Sequence, residues 1–171
     1  MDENLHIQRA YEAILQHDFE RAIESFEKAI EEEPDNASYH YRLSISCARS
    51  NKLGKAAHHA ERAYQLSPAT ETYLLHLNAV TARQLLIKAE ELMRQEEEQR
   101  VHEAIFALKR SLQLNPLSIE AMLMLALAYE KLGKRSEAWQ IAHDARKLDP
   151  EHKEVIQLHA RLLRHMHGRI E

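Results

Sequence analysis

The chain has 171 residues, of which 44% are hydrophobic and 29% charged, and its formal net charge is −4. This length suits one domain or a short array of repeats, and it is too small for two enzyme-sized lobes. With three glycines and four prolines, the chain lacks the turn signals that an all-β fold needs roughly every 8–12 residues. The modest charge, without a dense Lys/Arg block, argues against a nucleic-acid binder that relies on phosphate contacts.

Four prolines divide the chain into segments of similar pattern. The prolines are Pro34, Pro68, Pro116 and Pro150, at spacings of 34, 48 and 34 residues. A small residue stands twelve positions before each proline and another stands five before it. These residues are Ala22, Ala56, Ala104 and Ala138, then Ala29, Ala63, Ser111 and Ala145. Small residues seven positions apart lie on nearly the same side of a helix and let a neighbouring helix approach closely.

Apolar residues recur at helical spacing between these prolines, which end helices because they cannot continue them. In chain order, the pattern predicts helices at 4–16, 19–32, 37–50, 53–66, 70–92, 96–114, 119–132, 135–148 and 152–167. Each pair of helices has more apolar surface than it can bury alone, so stacking on the next pair completes the core.

The small residues, the prolines and the turn at Gly133 resemble the tetratricopeptide repeat, a helix–turn–helix unit of about 34 residues. The resemblance implies an all-α fold: an α-solenoid of about four repeats plus a C-terminal capping helix, in a single domain over 1–171. The repeats are expected at 3–36, 37–70, 71–118 and 119–152, and the capping helix at 152–167. Val155, Ile156, Ala160 and Leu163 are predicted on the inner side of that helix.

The third repeat is 14 residues too long, and the excess lies around 85–98. The apolar stripe continues through Ala82, Leu85, Leu86, Ala89, Leu92 and Met93. We therefore expect both helices to be about two turns longer, with a tight turn near 93–95. The acids Glu96, Glu97 and Glu98 would then lie in a helix first turn, where the helix dipole favours negative charge. The hairpin either packs on itself or offers a contact site or dimer seam.

In the resembled fold, the first helices of successive repeats line a concave groove, and repeat phase identifies the positions that face it. These are Ile7, Tyr11, Ile14, Tyr41, Ile45, Arg49, Leu75, Ala79, Arg83, Leu123, Leu127 and Lys131. The groove is predicted to be mostly apolar, with Tyr11 and Tyr41 as anchors and bases at one edge that pair an acidic residue of the ligand.

Leu123 and Leu127 make the first helix of the fourth repeat apolar nearly all round, which is expected when a second surface is covered. Two explanations need no partner: adjacent helices pack on these residues, or the capping helix folds across them. The alternative is a peptide or amphipathic helix of another protein.

We therefore predict a non-enzymatic adaptor for protein–protein interaction. Two alternatives remain. One is a scaffold that forms homo-oligomers, such as a homodimer, through the extended hairpin, and the other is a secretion-type chaperone. The Lys and Asn pattern with which some family members clamp the C-terminal carboxylate of chaperone tails is absent in either register.

No catalytic residue, cofactor or metal site is predicted. The glycines are isolated and form no phosphate-binding loop. The twelve histidines lack the spacing of a zinc-protease motif, and the adjacent His58 and His59 point apart on a helix. Cys47 is expected in the core as an inert thiol.

Sequence features also bear on the compartment. The longest apolar run, 121–129, has nine residues, less than half of the roughly 20 that a bilayer-spanning helix needs. Residues 1–4 include the acids Asp2 and Glu3, and they are not followed by the apolar segment that a secretory signal contains. Cys47 is the only cysteine, which fits a reducing compartment. We expect a cytoplasmic protein without membrane insertion.

Overall fold

A computed structural model describes the backbone of residues 5–95 and 97–167, with side chains as far as His165. Over these residues the chain forms nine α-helices and no strand. They are α1 Leu5–Leu15, α2 Phe19–Glu32, α3 Ala37–Arg49, α4 Leu53–Leu66, α5 Glu71–Met93, α6 Glu98–Leu114, α7 Ile119–Lys131, α8 Arg135–Leu148 and α9 Lys153–His167. The all-α prediction is confirmed, and the predicted ends agree within two residues. The predicted starts at residues 3, 4 and 96 lie outside the described residues.

The prolines end helices as predicted. The residue before each proline has a non-helical backbone, with φ between −130° and −144°, because the proline ring clashes with a helical residue before it. These four residues are Glu33, Ser67, Asn115 and Asp149. After the first and third prolines, the side chains of Asn36 and Ser118 accept backbone N–H bonds and so begin α3 and α7.

The turns inside three of the helix pairs each contain one residue with a left-handed backbone conformation. His17, Asn51 and Gly133 follow α1, α3 and α7 with φ of 58°, 57° and 71°. This left-handed conformation reverses the chain after a helix, and it costs a side chain with a Cβ more than it costs glycine.

The extra residues of the third repeat lie mostly in one helix. α5 has 23 residues where α3 and α7 have 13 each, and α6 has 17 where α4 and α8 have 14 each. The prediction of two extra turns in each helix is therefore wrong, since α5 gains ten residues and α6 three. The apolar stripe up to Met93 extends α5 without interruption. Glu98 lies in the first turn of α6 as predicted, Glu97 is its N-cap, and Glu96 is outside the described residues.

The chain divides into two compact units, Met1–Thr81 and Ala82–Glu171, each with its own core. Phe26, Leu43 and Cys47 are fully buried in the first unit. Leu108 and Leu125 lie between α5, α6 and α7 in the second. The eight small residues before the prolines are at most 1% exposed, as the sequence predicts. The single-domain expectation stays a prediction.

The last helix buries Val155 as predicted, but the centre of its buried side differs from the predicted one. Among its side chains up to His165, the buried ones are Val155, Leu158, His159 and Leu162, while Ala160 and Leu163 are exposed. The observed set follows the i, i+3, i+4, i+7 spacing of a helix packed on one neighbour. The predicted set is centred roughly a quarter-turn further round the helix. In the structure, Leu158 and Leu162 pack with the alanines of α7 and α8, so the capping position itself agrees with the prediction.

Candidate functional site

An open apolar pocket lies in the second unit between α5, α7 and α9. Its volume is about 390 Å³. Its apolar lining comprises Leu86 and Ile87 of α5 and Leu123, Met124 and Leu127 of α7. All five side chains are partly exposed, and Leu127 is 37% exposed.

The pocket exists because α7 is apolar on two sides. Ala121, Leu125 and Ala128 are buried in the core of the second unit, each at most 2% exposed. Leu123 and Leu127 lie elsewhere on the helix, where the core does not enclose them fully. A helix that is apolar nearly all round is expected to have a second covered surface.

The capping helix covers one flank of this second surface. Leu123, Leu127, Glu154 and Leu158 line a smaller cavity of about 220 Å³ beside α9. The Arg161 guanidinium donates hydrogen bonds of 3.2 and 2.6 Å to the Glu130 carboxylate, which ties α9 to α7. The capping helix therefore covers Leu123 and Leu127 on the side that faces α9. On the side that faces α5, the pocket stays open.

Charged side chains surround the pocket. Three carboxylates, those of Glu90, Glu120 and Glu154, and one guanidinium, that of Arg83, belong to its lining. Glu90 accepts a 2.8 Å hydrogen bond from Arg94, and Glu120 accepts one of 3.3 Å from the Ser118 hydroxyl. Among the described residues, neither Arg83 nor Glu154 has an ion-pair partner within 4.0 Å.

The predicted basic edge is wrong for this pocket, where carboxylates outnumber bases. Lys131 does not line it. The Lys131 ammonium donates a 3.1 Å hydrogen bond to the Met93 carbonyl and borders a separate cavity with Glu98, Val101 and Leu132. This bond satisfies a carbonyl at the end of α5 that has no partner within its own helix.

In the first unit, the predicted α1 residues are largely engaged by the chain itself. Ile7 is 4% exposed and belongs to the core, so its burial excludes it as a contact residue. Tyr11 and Ile14 are half-buried against the same core. The Tyr11 ring meets Phe26 edge-on at 6.2 Å, and the Arg42 guanidinium lies 5.0 Å from the centre of the Tyr11 ring.

The predicted residues of α3 are also engaged by the chain itself, whereas those of early α5 are not. Tyr41 contacts the rings of Tyr73 at 4.9 Å and His76 at 5.2 Å. The Arg49 guanidinium lies 5.4 Å from the centre of the Phe19 ring. The remaining three residues differ in exposure: Ile45 is half-buried, whereas Leu75 and Ala79 are exposed.

Of the twelve predicted residues, the pocket brings together Arg83, Leu123 and Leu127. The residues that the prediction missed are Leu86, Ile87, Met124, Glu90, Glu120 and Glu154. Spacing contained a usable signal, because Glu120, Leu123 and Leu127 are three and four residues apart and share a helix face. The same holds along α5 for Arg83, Ile87 and Glu90.

Half of the hairpin stripe is buried by packing within the hairpin, whereas Leu85, Leu86 and Met93 stay partly exposed. Ala82, Ala89 and Leu92 are 3%, 0% and 8% exposed. Ala89 and Leu92 pack against Val101 and Leu108 of α6, and Ser111 donates a 2.8 Å hydrogen bond to the Ala82 carbonyl. These buried residues are therefore unavailable as a seam for a second copy.

A pair of histidines joins α3 to α4. His40 Nε2 lies 2.9 Å from the Pro34 carbonyl, and His40 Nδ1 lies 2.9 Å from His59 Nδ1. Because a carbonyl only accepts, His40 donates from Nε2 and accepts at Nδ1 from His59. Burial, with the neighbouring histidines, lowers the pKa of His59 to about 4. Sequence reasoning missed the pair because its members are nineteen residues apart.

Other chemistry is sparse in the described part of the chain. There, no group of three or more His, Cys, Asp or Glu side chains is placed to hold a metal ion. Cys47 is fully buried as predicted, and burial raises the pKa of its thiol to about 11. No helix within 5–95 or 97–167 has the length and apolar character required to cross a bilayer.

Comparisons with known proteins address the family and the fold. Two tetratricopeptide repeat profiles match residues 7–70 and 96–162. No curated protein sequence matches the chain. A crystal structure of MamA protein is 18% identical, with 92% of this chain and 79% of that chain covered and a TM-score of 0.53.

Two further solved structures show the same likeness. The MamA 41-end structure from Desulfovibrio magneticus RS-1 is 14% identical, with 98% and 96% covered and a TM-score of 0.52. YrrB, described as a TPR protein with an unusual peptide-binding site, is 16% identical, with 89% of each chain covered and a TM-score of 0.50. The structural likenesses support the fold, and the two profiles support the family. The chain belongs to the tetratricopeptide repeat family.

Proposed function

We propose that this protein is a non-enzymatic adaptor that binds a helix or extended peptide of a partner protein in the pocket between α5, α7 and α9. One observation carries the proposal: Leu123 and Leu127 remain partly exposed above an open apolar pocket although α7 already fills the core from another side. Family membership and the peptide-binding site named for YrrB support it.

The pocket has the properties of a peptide-binding surface. Its volume of about 390 Å³ is that of a pocket for a small ligand, about 300–1,000 Å³, which leaves room for apolar side chains of a partner. Aliphatic side chains from two helices form its floor and charged groups form its rim. A partner helix would insert apolar residues three or four positions apart, and their burial would supply most of the affinity.

The proposal assigns no catalytic residue, cofactor or metal to the chain. It places the protein in the cytoplasm, where a lone thiol such as Cys47 stays reduced. We do not propose the homo-oligomeric scaffold or the secretion-type chaperone, because Ala82, Ala89 and Leu92 of the stripe predicted as a dimer seam are buried.

A substitution in the pocket and one outside it test the proposal. Leu127→Asp places a charge in the pocket. Phe106→Asp is the matched control, because Phe106 is 77% exposed on α6 and does not line the pocket. Both variants and the wild type are used to capture proteins from a lysate of the source organism, with quantification by mass spectrometry.

We expect at least one partner that the wild type and Phe106→Asp recover equally and that Leu127→Asp loses by tenfold or more. Circular dichroism must first show that both variants keep the helical content and melting temperature of the wild type. Equal recovery of every partner by the two folded variants contradicts the proposal.

A further inference from the structure

The carboxylates around the pocket come from three different helices. Glu90 belongs to α5, Glu120 to the first turn of α7 and Glu154 to the first turn of α9. Glu154 also lines the smaller cavity beside α9. A segment bound in either cavity would therefore pass close to Glu154.

Two of these carboxylates lack an ionic partner in the described structure. Glu90 is paired with Arg94, whereas Glu120 accepts only the neutral Ser118 hydroxyl. Arg161 borders the smaller cavity beside Glu154, but its guanidinium is bound to Glu130. Helix dipoles stabilise acids in first turns, which explains why acids are tolerated there but leaves their negative charge facing the pocket.

We infer that the partner segment is a basic amphipathic helix, in which Lys or Arg beside the apolar anchors pairs with Glu120 and Glu154. This inference rests on the proposed function. Charge complementarity carries this choice. A Lys or Arg beside the apolar anchors would meet two carboxylates, Glu120 and Glu154, that no described cationic side chain pairs. An acidic segment would instead meet three carboxylates and the single base Arg83. The inferred partner is therefore basic, whereas the predicted basic edge of the groove implied an acidic residue on the ligand.

A random 12-residue peptide library displayed on phage tests the inference without presupposing a sequence. Selections use the wild type, Leu127→Asp and Glu120→Gln/Glu154→Gln. The matched control is Glu71→Gln/Glu137→Gln, because Glu71 and Glu137 lie in the first turns of α5 and α8, are exposed and do not line the pocket. Both double variants change the net charge equally.

We expect peptides enriched by the wild type, but not by Leu127→Asp, to combine apolar residues three or four apart with a net positive charge. The best of these, made synthetically, should bind Glu120→Gln/Glu154→Gln about 3- to 30-fold more weakly than the wild type, as expected for two partly exposed ion pairs. The control variant should bind it as the wild type does, and the difference should shrink in high salt.

Two results overturn the inference in different ways. Leu127-dependent peptides that are neutral or acidic, or that bind both double variants equally, refute the basic partner and leave the pocket as a binding site. Absence of any Leu127-dependent enrichment refutes the proposed function and the charge inference together.

Discussion

The predicted groove residues on α1 and α3 of the first unit and those on α7 of the second unit have different surroundings. In the first unit, the predicted anchors Tyr11 and Tyr41 pack against Phe26 and His76, rings of the same chain. In the second, Leu123 and Leu127 border an open pocket ringed mainly by carboxylates. The predicted positions on α1 and α3 thus serve mainly internal packing, whereas Leu75 and Ala79 of α5 and Leu127 of α7 are exposed. Repeat phase locates a candidate site, but the neighbouring side chains decide whether it is vacant.

The largest expected effect comes from breaking the aromatic packing of the first unit. Phe26→Ala removes a fully buried ring that also contacts Tyr11, so it should lower the free energy of unfolding by about 3–5 kcal/mol. Urea unfolding followed by circular dichroism measures this. A loss below about 1 kcal/mol would mean that the ring is not a structural support for Tyr11.

Acid should destabilise the first unit through His59. The pKa of His59 is lowered from 6.5 to about 4, so the unfolded chain binds a proton that the folded chain does not between these pH values. The contribution of His59 to the free energy of unfolding is therefore fully present above pH 6.5. It is lost as the pH falls towards 4, which lowers the unfolding free energy by roughly 2 kcal/mol for a partly exposed group. The charged or titratable groups close enough to affect the pKa of His59 are His40, His58, Glu27 and Lys55.

Urea unfolding at pH 7.5 and pH 4.5 checks this dependence. His59→Gln should reduce the difference in unfolding free energy between the two pH values. His102→Gln, a substitution of an exposed histidine on α6, should leave it unchanged. An unaltered pH dependence in His59→Gln would assign the acid sensitivity to other groups.

Alanine substitutions sharpen the contrast between packing and free surface. Tyr11→Ala removes a half-buried ring that contacts Phe26 and Arg42, so it should lower the unfolding free energy by about 1–2 kcal/mol. Leu127→Ala should cost less than about 1 kcal/mol, because Leu127 is already 37% exposed. Thermal unfolding ranks the two variants, and a larger cost for Leu127→Ala would make that side chain part of the core.

The turns give the smallest effect. The first unit places His17 at φ 58°, and the second places Gly133 at φ 71°. His17→Gly should raise the unfolding free energy by about 0.5 kcal/mol, since relief of left-handed strain exceeds the entropy cost of glycine. Gly133→Ala should lower it by about 1 kcal/mol, although no atom obstructs the added Cβ. Chemical denaturation measures both changes in unfolding free energy, and opposite signs for the two variants would support this difference between the turns.

Local signals made the fold predictable. Prolines, N-caps and buried small residues act over short distances, so the helix ends were placed within two residues. The division of the extra residues between α5 and α6 was missed because no Gly or Pro marks the turn in that segment. The inner side of α9 was also misassigned, because the neighbour on which Leu158 and Leu162 pack cannot be identified from α9 alone.

The candidate site was only partly predictable for a related reason. Phase along α7 identified Leu123 and Leu127, but the carboxylates opposite them come from other helices. Lys131 shows the limit of assigning charge by phase, because its long side chain reaches back to the Met93 carbonyl. Which groups meet around a pocket depends on packing between helices that sequence spacing does not specify.

Cys47 gives the first unit a built-in reporter. It is the only cysteine of the chain, and it is fully buried with its pKa raised to about 11. A maleimide reagent can modify this thiol only when α3 separates from its neighbours, so the labelling rate measures how often the first unit opens. Trp139, the only tryptophan, stacks on His143 in the second unit. Its fluorescence therefore reports the other half of the chain, and no engineered label is needed to follow the two units separately.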